Sequence, residues 1–600
     1  MAAAPDPPNA TIAALFDELA DLYELDGAVV HRVLAYRNAA KAVREASVSV
    51  AAMHRQGRAT ELPGVGRTLD EKIGQLLATG SVPAVEKLRA KFPPGLVDLT
   101  RLPGLGPKRA RALYDQLGVD SLDALRAAAE TQRLRGLRGF GARFEEAVLA
   151  AFAAGVGGEP APRVLLHKAL PVGEGIVEAL RAHPASDRVE LAGSARRLAD
   201  SVKDLDVIAT SHDPPALLEA FAALDVIEAC SASGQAGARA RTHSGMRIDL
   251  RVVAPDQFGN LLQHLTGSSA HNVALREAAV RRGLHVSEYG ILDDSSGETV
   301  RCKREEDVYA RLGLPWIPPE LREDRGELEH GFAVPRLLTQ EDLRGDLHCH
   351  TVASDGRHTV EEMARAARDR GLEYLAITDH SATHGFGNHV TPAELERQIE
   401  RVAAANHLVE GITVLAGTEA NILPDGSLDY PDELLARLDW VIASVHTSFA
   451  MDEAEMTARM VAAVEHPWVD ALGHPTGRKI ESRRPYAVGL EAVFAAAARA
   501  GTMIEINSSP DRRDLSDVHA RAAAAAGVRI LVNSDAHGTN TLGITRWGVA
   551  TARRAWLGPD QIANALTWAK FGPLRKRARA QSSSAGNSSS ATTRSTAAGR

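Results

Sequence analysis

The chain has 600 residues, 69 Lys and Arg against 77 Asp and Glu, and a formal net charge of −8. That length exceeds a single core and predicts about three to five domains of a globular, cytoplasmic protein. The three cysteines Cys230, Cys302 and Cys349 stand far apart with no CxxC pair, no run of about 18 apolar residues occurs, and the N-terminal stretch is acidic; these argue against a disulfide framework, a membrane span and a signal peptide.

The average charge conceals two opposite segments. Residues 101–143 hold nine Lys/Arg against four Asp/Glu (+5), and residues 341–572 hold 22 against 32 (−10). The first suits a phosphate backbone. The second is rich in histidine and suits bound cations.

The first 155 residues read as helical. Within them a pattern recurs: "LPGVG" at 62–66, "LPGLG" at 102–106 and "LRGFG" at 137–141. Each copy sits between helical stretches. Gly64 and Gly66, Gly104 and Gly106, and Gly139 and Gly141 permit a tight turn that lets backbone N–H groups approach a phosphate at the next helix start. One copy alone reads as a plain helix–helix turn. Three copies point to sequence-blind grip on a nucleic-acid backbone and resemble helix-hairpin-helix motifs.

Residues 186–210 predict an alternating strand, "RVELAG", that runs into Gly193 and Ser194, and a second strand, "KDLDVIA". Residues two apart in a strand share a face, so Asp204 and Asp206 project together. A further strand, "MRIDLRVVA", offers Asp249. Three such carboxylates can hold two Mg²⁺ or Mn²⁺ ions about 3.5–4 Å apart for in-line phosphoryl transfer. A solvated edge is the competing reading for a lone D-x-D, but Leu205, Val207 and Ile208 mark this strand as at least half buried.

With the block "QHLTGSSAHNVALREAAVRRGLHVSEYGI", these segments resemble the palm and thumb of family X DNA polymerases. The resemblance covers the first 335 residues, including "AYRNAA" and "LPGVGRTLDEKIGQLLATG" of that family's N-terminal lyase domain. It implies Asp204, Asp206 and Asp249 as catalytic metal ligands. It implies Gly193, Ser194 and Arg197 on the triphosphate, Gly267 and Asn272 beside the incoming nucleotide, and Arg276 near the template. Lys72 falls where the family's lyase places its Schiff-base lysine; a surface helix lysine paired with an acid is the alternative. Two residues depart from the family: Lys203 stands where Gly is usual, and His264 where animal relatives carry an aromatic ring.

From 341 onward short apolar runs alternate with amphipathic helices. The runs end in metal-capable residues: "GDLHCH", "YLAITDH", "ITVLAGTE", "WVIASVH", "VDALGHP", "TMIEIN" and "RILVNSDAH". Seven parallel strands predict a barrel, whose site lies at the strand C-terminal ends. His348, His350, Asp355, His380, Glu419, His446, His474, Asp535 and His537 occupy those ends, more than one tetrahedral ion takes. Imidazole with carboxylate suits two or three Zn²⁺, Mn²⁺ or Fe²⁺ ions and phosphoester hydrolysis.

The order H-x-H, S-D-G, T-D-H, G-x-E, S-x-H, G-H-P, S-D-x-H resembles the PHP (polymerase and histidinol phosphatase) domain. That resemblance implies a trinuclear site: one ion on His348, His350, Glu419 and Asp535, a second on Glu419, His446 and His474, a third on Asp355, His380 and His537. The whole chain resembles bacterial family X polymerases with a C-terminal PHP domain, which implies gap-filling repair synthesis with 3′→5′ exonuclease and 3′-end or abasic-site processing.

The expected fold is therefore multidomain: an α-helical helix-hairpin-helix region, an α+β nucleotidyltransferase palm with thumb, and a C-terminal (β/α)7 barrel. The expected boundaries are 1–90 (lyase-like, first hairpin), 91–158 (fingers with hairpins), 159–256 (palm), 257–325 (thumb), 326–340 (linker), 341–572 (PHP barrel) and 573–600 (a disordered basic, Ser-rich tail). Expected partners are gapped or primer–template DNA and dNTPs, with no membrane, for a nucleoid-associated monomer. Two readings compete with this one: a small-molecule phosphatase of the histidinol phosphate type, and a non-catalytic scaffold for DNA ends.

Overall fold

A computed structural model describes residues 6–100, 105–137, 140–153, 163–232, 236–385 and 387–578. Gly104, Gly139 and the tail after residue 578 lie outside the described residues. Two compact units result. The first comprises the chain to Val164, Ala169–Leu191 and Lys203–Pro255; the second comprises Leu165–Lys168, Ala192–Val202 and the chain from Asp256. No described helix is long and apolar enough to cross a membrane. The three cysteines are free.

Among the described residues, the first unit opens with nine helices before its sheet-bearing part: α1 (Asn9–Leu25), α2 (Val30–Glu45), α3 (Val50–Arg55), α4 (Arg67–Thr79), α5 (Pro83–Arg89), α6 (Pro94–Thr100), α7 (Pro107–Leu117), α8 (Leu122–Glu130) and α9 (Ala142–Ala153). Helix α4 shows why they form. Leu69, Ile73 and Leu76 recur at helical spacing and are buried, and Gly80, left-handed at φ 73°, ends it. Helix α7 starts on Pro107, buries Ala110 and Leu113, and ends at left-handed Gly118. Gly66, Gly106 and Gly141 directly precede α4, α7 and α9, and a Cβ at any of them would meet nothing within 4 Å. The described helix starts are therefore open to a ligand.

The same unit holds a five-stranded mixed sheet: β1 (Ser186–Leu191), β2 (Asp204–Ser211), β3 (Ile227–Ala232), β4 (Gly237–Thr242) and β5 (Arg247–Val252), in the order β1-β2-β5-β4-β3. The central pair, β2 and β5, is parallel, and Asp206 stands opposite Asp249 in register. Leu205, Val207, Ile208 and Ala209 are fully buried, so β2 is anchored by its alternate face.

The second unit begins with α10 (Phe258–Thr266), α11 (Ser269–Val280), a three-stranded antiparallel ribbon β6 (Leu284–Ser287), β7 (Gly290–Asp293) and β8 (Thr299–Val300), and α12 (Glu305–Arg311). The barrel follows. Its strands are β9 (Gly345–Asp346), β10 (Tyr374–Ile377), β11 (Thr413–Asn421), β12 (Trp440–Ser444), β13 (Ala471–Leu472), β14 (Met503–Asn507) and β15 (Ile530–Asn533), all parallel and paired in sequence order. The chain just past β9 and β15 brings the ends together: Cys349 bridges Ala536 in parallel, and the His350 N–H donates to the Ala536 carbonyl at 2.8 Å. The result is a nearly closed (β/α)7 barrel.

The barrel has an apolar floor. Trp440, Tyr374 and Phe571 are buried; Phe571 stacks on Tyr374 with centroids 4.8 Å apart, and the Trp440 indole donates to the Leu347 carbonyl. Gly345 is required beside them, because a Cβ there would lie 2.0 Å from the Tyr374 ring. Apolar residues thus plug one end and leave the other to polar groups.

Residues 192–202 fold with the barrel. The buried Arg513 guanidinium donates to the carbonyls of Leu198 and Ala199, both at 3.1 Å, and pairs with Asp200 at 3.2 Å. Arg478 also reaches Asp200, and Arg554 donates to the Arg197 carbonyl and to Glu323. Removing one member of a buried ionic network leaves the others desolvated and unpaired. Arg513→Ala should therefore cost about 3–5 kcal/mol. Calorimetry should show the transition of the second unit at a lower temperature while that of the helical region stays in place.

Candidate metal centres

All nine residues expected at the barrel mouth converge there, each delivered by the chain at or just beyond a strand's C-terminal end. Glu419 is the hub. Its Oε1 lies 2.8 Å from His474 Nε2, 3.1 Å from His446 Nε2 and 3.4 Å from His348 Nε2. Its Oε2 lies 2.8 Å from His380 Nδ1 and 3.7 Å from His350 Nε2. Asp535 Oδ1 stands 3.0 Å from His350 Nε2 and 3.6 Å from His348 Nε2. Asp355 Oδ2 stands 3.2 Å from His537 Nε2 and 3.6 Å from His380 Nε2.

Three donor groups emerge: His350, Asp355, His380 and His537; His348, His350 and Asp535; and His380, Glu419 and His446. His350 and His380 each belong to two groups, so the groups form one continuous polynuclear site. Asp355 and His537 lie at its rim, Asp535 is partly exposed, and the rest are buried.

The electrostatics suit cation binding. Burial would raise Glu419, but His446, His348 and His380 hold its carboxylate well below the usual range. Asp535 is likewise held low against burial by His348 and His350. Burial pushes His446 down to about 4 and lowers His350 as well, so both imidazoles are neutral near pH 7. Against burial, the surrounding carboxylates raise His348, His537 and, to about 10, His380, so cation binding there has to displace protons. His348 Nε2 and His350 Nδ1 are buried without a hydrogen-bond partner among the described residues. A buried polar atom left this way is costly unless something coordinates it. The donor set therefore fits divalent ions.

A second layer fixes the first. Glu505, fully buried on β14, accepts from His348 Nδ1 (2.8 Å) and Asn533 Nδ2 (3.0 Å) on one oxygen, and from the His474 N–H (2.8 Å) and Asn507 Nδ2 (3.2 Å) on the other. Its contact with His348 sets the tautomer that turns Nε2 toward the site. Asp379 accepts from the Thr351 N–H and hydroxyl and from the Ser354 hydroxyl, which pins the loop that carries Asp355. His384 stacks on His380 with centroids 4.5 Å apart. Two of the nine, His474 (φ 27°) and Asp535 (φ 56°), hold left-handed backbone, a strain that clusters at functional sites. Sequence reasoning missed Glu505 as a support; the run "TMIEIN" did carry it to a strand end.

In the first unit, Asp204 and Asp206 project from the half-exposed face of β2, and Asp249 from β5 pairs with Arg239 at 3.2 Å. Lys203 is exposed beside them. Lys72 lies half-buried on α4, and among the described residues it has no ion-pair partner, so the expected alternative of a paired surface lysine does not hold.

The remaining nucleotide-site candidates lie in the second unit. Gly193 takes φ 65° and opens the short helix Gly193–Arg196 that includes Ser194. Arg197 is engaged by Glu323 (2.9 Å) and the Thr266 carbonyl (2.9 Å), and Arg196 by Glu305. Asn272 is buried, donating to the His264 carbonyl and accepting from Gln263, and a Cβ at Gly267 would strike it at 2.4 Å. Arg276 is exposed on α11. His264 faces Glu288 at 3.4 Å.

One carboxylate triplet on an open sheet and one histidine-rich cluster at a barrel mouth place the molecule among metal-dependent phosphoryl-transfer proteins. Family models agree segment by segment. A helix-hairpin-helix domain matches residues 7–82, a SAM-like helix-hairpin-helix tandem 96–153, a DNA polymerase beta thumb 261–323 and a PHP domain 346–509. The chain is 36% identical over 556 residues to the DNA polymerase/3′-5′ exonuclease PolX of Bacillus subtilis (strain 168), covering 92% of this chain and 97% of that one. The chain thus belongs to the bacterial family X DNA polymerases that carry a PHP domain. The chain is also 36% identical, over 32% of its length, to a probable phosphatase of Caldanaerobacter subterraneus subsp. tengcongensis, covering 75% of that protein. A probable phosphatase of Thermoanaerobacter sp. (strain X514) is 32% identical over 36% of this chain and 89% of its own.

The role of Glu505 is testable. In Glu505→Gln the amide cannot accept hydrogen bonds on both of its ends, so either His348 or the His474 turn loses its support. Losing such a support typically costs 10–100-fold in metal affinity. Titration of Mn²⁺ into the metal-stripped variant should show weakening of roughly that size with an unchanged circular dichroism spectrum.

Proposed function

We propose that this chain is a DNA-directed DNA polymerase that fills short gaps during base excision repair, with a 3′→5′ exonuclease in its barrel. The observation that carries the reading is the alignment of the chain along nearly its whole length with a polymerase/exonuclease, together with the histidine-rich cluster at the barrel mouth and the register that sets Asp206 opposite Asp249. Under this reading the helical hairpins hold the DNA backbone through Gly64, Gly66, Gly104, Gly106, Gly139 and Gly141. Ser194, Arg197, Gly267, Asn272 and Arg276 serve the nucleotide and template, and dNTPs are the substrate. The protein acts as a monomer near the nucleoid.

Divalent ions bound in the two sites supply Lewis acidity toward phosphoester oxygens and acidify water. Mg²⁺ or Mn²⁺ suits the all-carboxylate palm; Zn²⁺, Mn²⁺ or Fe²⁺ suits the imidazole-rich barrel. Within the barrel, His348, His350, Glu419 and Asp535 are proposed to hold one ion, Glu419, His446 and His474 a second, and Asp355, His380 and His537 a third. Processing of 3′ ends and abasic sites belongs to the same cluster. A small-molecule phosphatase is the second reading for the barrel, favoured by the probable phosphatases that match about a third of the chain.

One gel separates these readings. A labelled primer on gapped duplex is incubated with Mn²⁺, with and without dNTPs. Asp204→Ala should lose at least about 10³-fold in extension, roughly 4 kcal/mol of transition-state stabilisation, and keep primer shortening. The His348/His350 double alanine variant should do the reverse. Shortening at the wild-type rate by the histidine variant would move the nuclease elsewhere. Release of phosphate from small monoesters without primer shortening would favour the phosphatase.

Lys72 is proposed as the Schiff-base lysine of a 5′-deoxyribose phosphate lyase, since it lacks an ion-pair partner among the described residues and sits on the helix opened by Gly64 and Gly66. Borohydride should trap wild type on a 5′-deoxyribose phosphate end but not Lys72→Ala. Equal trapping of both would remove the role.

A further inference from the structure

The loops after β12 and β13 carry more than His446 and His474. Three residues past His446, Phe449 keeps 36% of its surface exposed. Its ring lies nearly parallel to that of Tyr486, with centroids 6.1 Å apart and an interplanar angle of 14°. The guanidinium carbon of Arg483 stands 4.7 Å from the Phe449 centroid.

These side chains are tied to the metal site through one turn. Arg483 Nε donates to the Gly477 carbonyl at 2.7 Å, and the Tyr486 hydroxyl donates to the Pro475 carbonyl at 2.7 Å. The Gly477 N–H closes the turn on the His474 carbonyl at 3.0 Å. Gly477 is left-handed (φ 60°), and a Cβ there would lie 2.5 Å from the Tyr486 ring. The aromatic–guanidinium pair is therefore held in place beside two of the ligand residues.

The local charge is opposite to that of the domain. Residues 341–572 carry −10 overall. Yet Arg483 and Arg484 in the loop after β13, and Arg512 in the loop after β14, form no direct ion pair with a carboxylate among the described residues. Burial and then the nearby Arg512 charge disfavour the Arg483 cation, and Asp514 and Asp511 offset them only in part. An anion placed there would be stabilised by both arginines.

We infer that Phe449 and Arg483 form a seat for the 3′-terminal stretch of a single polynucleotide strand, one base stacking on the ring–guanidinium pair and adjacent phosphates meeting Arg483, Arg484 and Arg512. Bases stack on aromatic rings and on arginine planes regardless of sequence, and guanidinium forks match phosphate oxygens. The inference rests on the exonuclease reading and adds the element that favours a strand over a small phosphate ester. A small ester reaches the metal cluster alone; a strand reaches the cluster and the seat.

The test uses the full chain with Mn²⁺ and two substrates: a single-stranded oligonucleotide and the p-nitrophenyl ester of thymidine 5′-phosphate. Phe449→Ala should raise the oligonucleotide KM roughly ten- to hundred-fold, the range expected for one lost stacking contact, with kcat little changed. Hydrolysis of the small ester should stay within about two-fold, because its single nucleotide is held at the metal cluster and no further nucleotide remains to reach the seat. Phe449→Trp should restore the oligonucleotide KM. A binding readout stands beside the kinetics: 2-aminopurine placed two nucleotides in from the oligonucleotide 3′ end, in chelator, should be quenched by wild type and Phe449→Trp but not by Phe449→Ala. Equal losses on both substrates, or an unaltered oligonucleotide KM in Phe449→Ala, would overturn the seat alone. Wild-type protein that cleaves the small ester but never shortens the oligonucleotide would overturn the exonuclease reading and the seat with it.

Discussion

The grip of Glu505 on four donors is the interaction on which the barrel site depends. One buried carboxylate accepts from His348 and Asn533 on one side, and from the His474 backbone and Asn507 on the other. Those four residues belong to the chain at or just past four strand ends. A charge buried this deeply is tolerated only when its lone pairs are filled. Filling them forces the loops after β9, β13, β14 and β15 into one arrangement. The ligands are aimed by that arrangement rather than by their own loops.

The same economy runs along the barrel axis. Trp440, Tyr374 and Phe571 close the floor with apolar surface, so the polar mouth is backed by a rigid, water-free layer. Strands buried on both faces must be apolar nearly throughout, which leaves their C-terminal ends as the places for ionisable groups. Helix dipoles are not needed to explain the site; the clustering of Glu419 and Asp535 among imidazoles is sufficient.

Much of this was legible in the sequence. The nine mouth residues could be read because each ends a short apolar run, and a period-2 or all-apolar run followed by His or Asp is a local signal. Asp204 and Asp206 could be read for the same reason, and their strand does bury Leu205, Val207 and Ile208. What was not legible is non-local. The contact of Arg197 with Glu323 spans more than a hundred residues of chain and leaves no local trace. The hydrogen bonds that orient the Asn272 amide, to the His264 carbonyl and from Gln263, are likewise set by the packing of two helices. That residues 192–202 fold with the barrel depends on Arg513, whose partners are over three hundred residues away in the chain.

The left-handed backbone at His474 and Asp535 limits how this site can change over evolutionary time. Side chains branched at Cβ clash in that region of conformational space, whereas Gly, Asn and Asp enter it at little expense. Of the nine mouth residues, these two are therefore held by the shape of the chain as well as by their chemistry. A lineage that abandoned the barrel's activity would be free to place Val or Ile at 350 or 446, subject only to packing. At 474 and 535 the same drift would run first through Asn or Gly, so a decayed descendant would still carry a record of where its ligands had been.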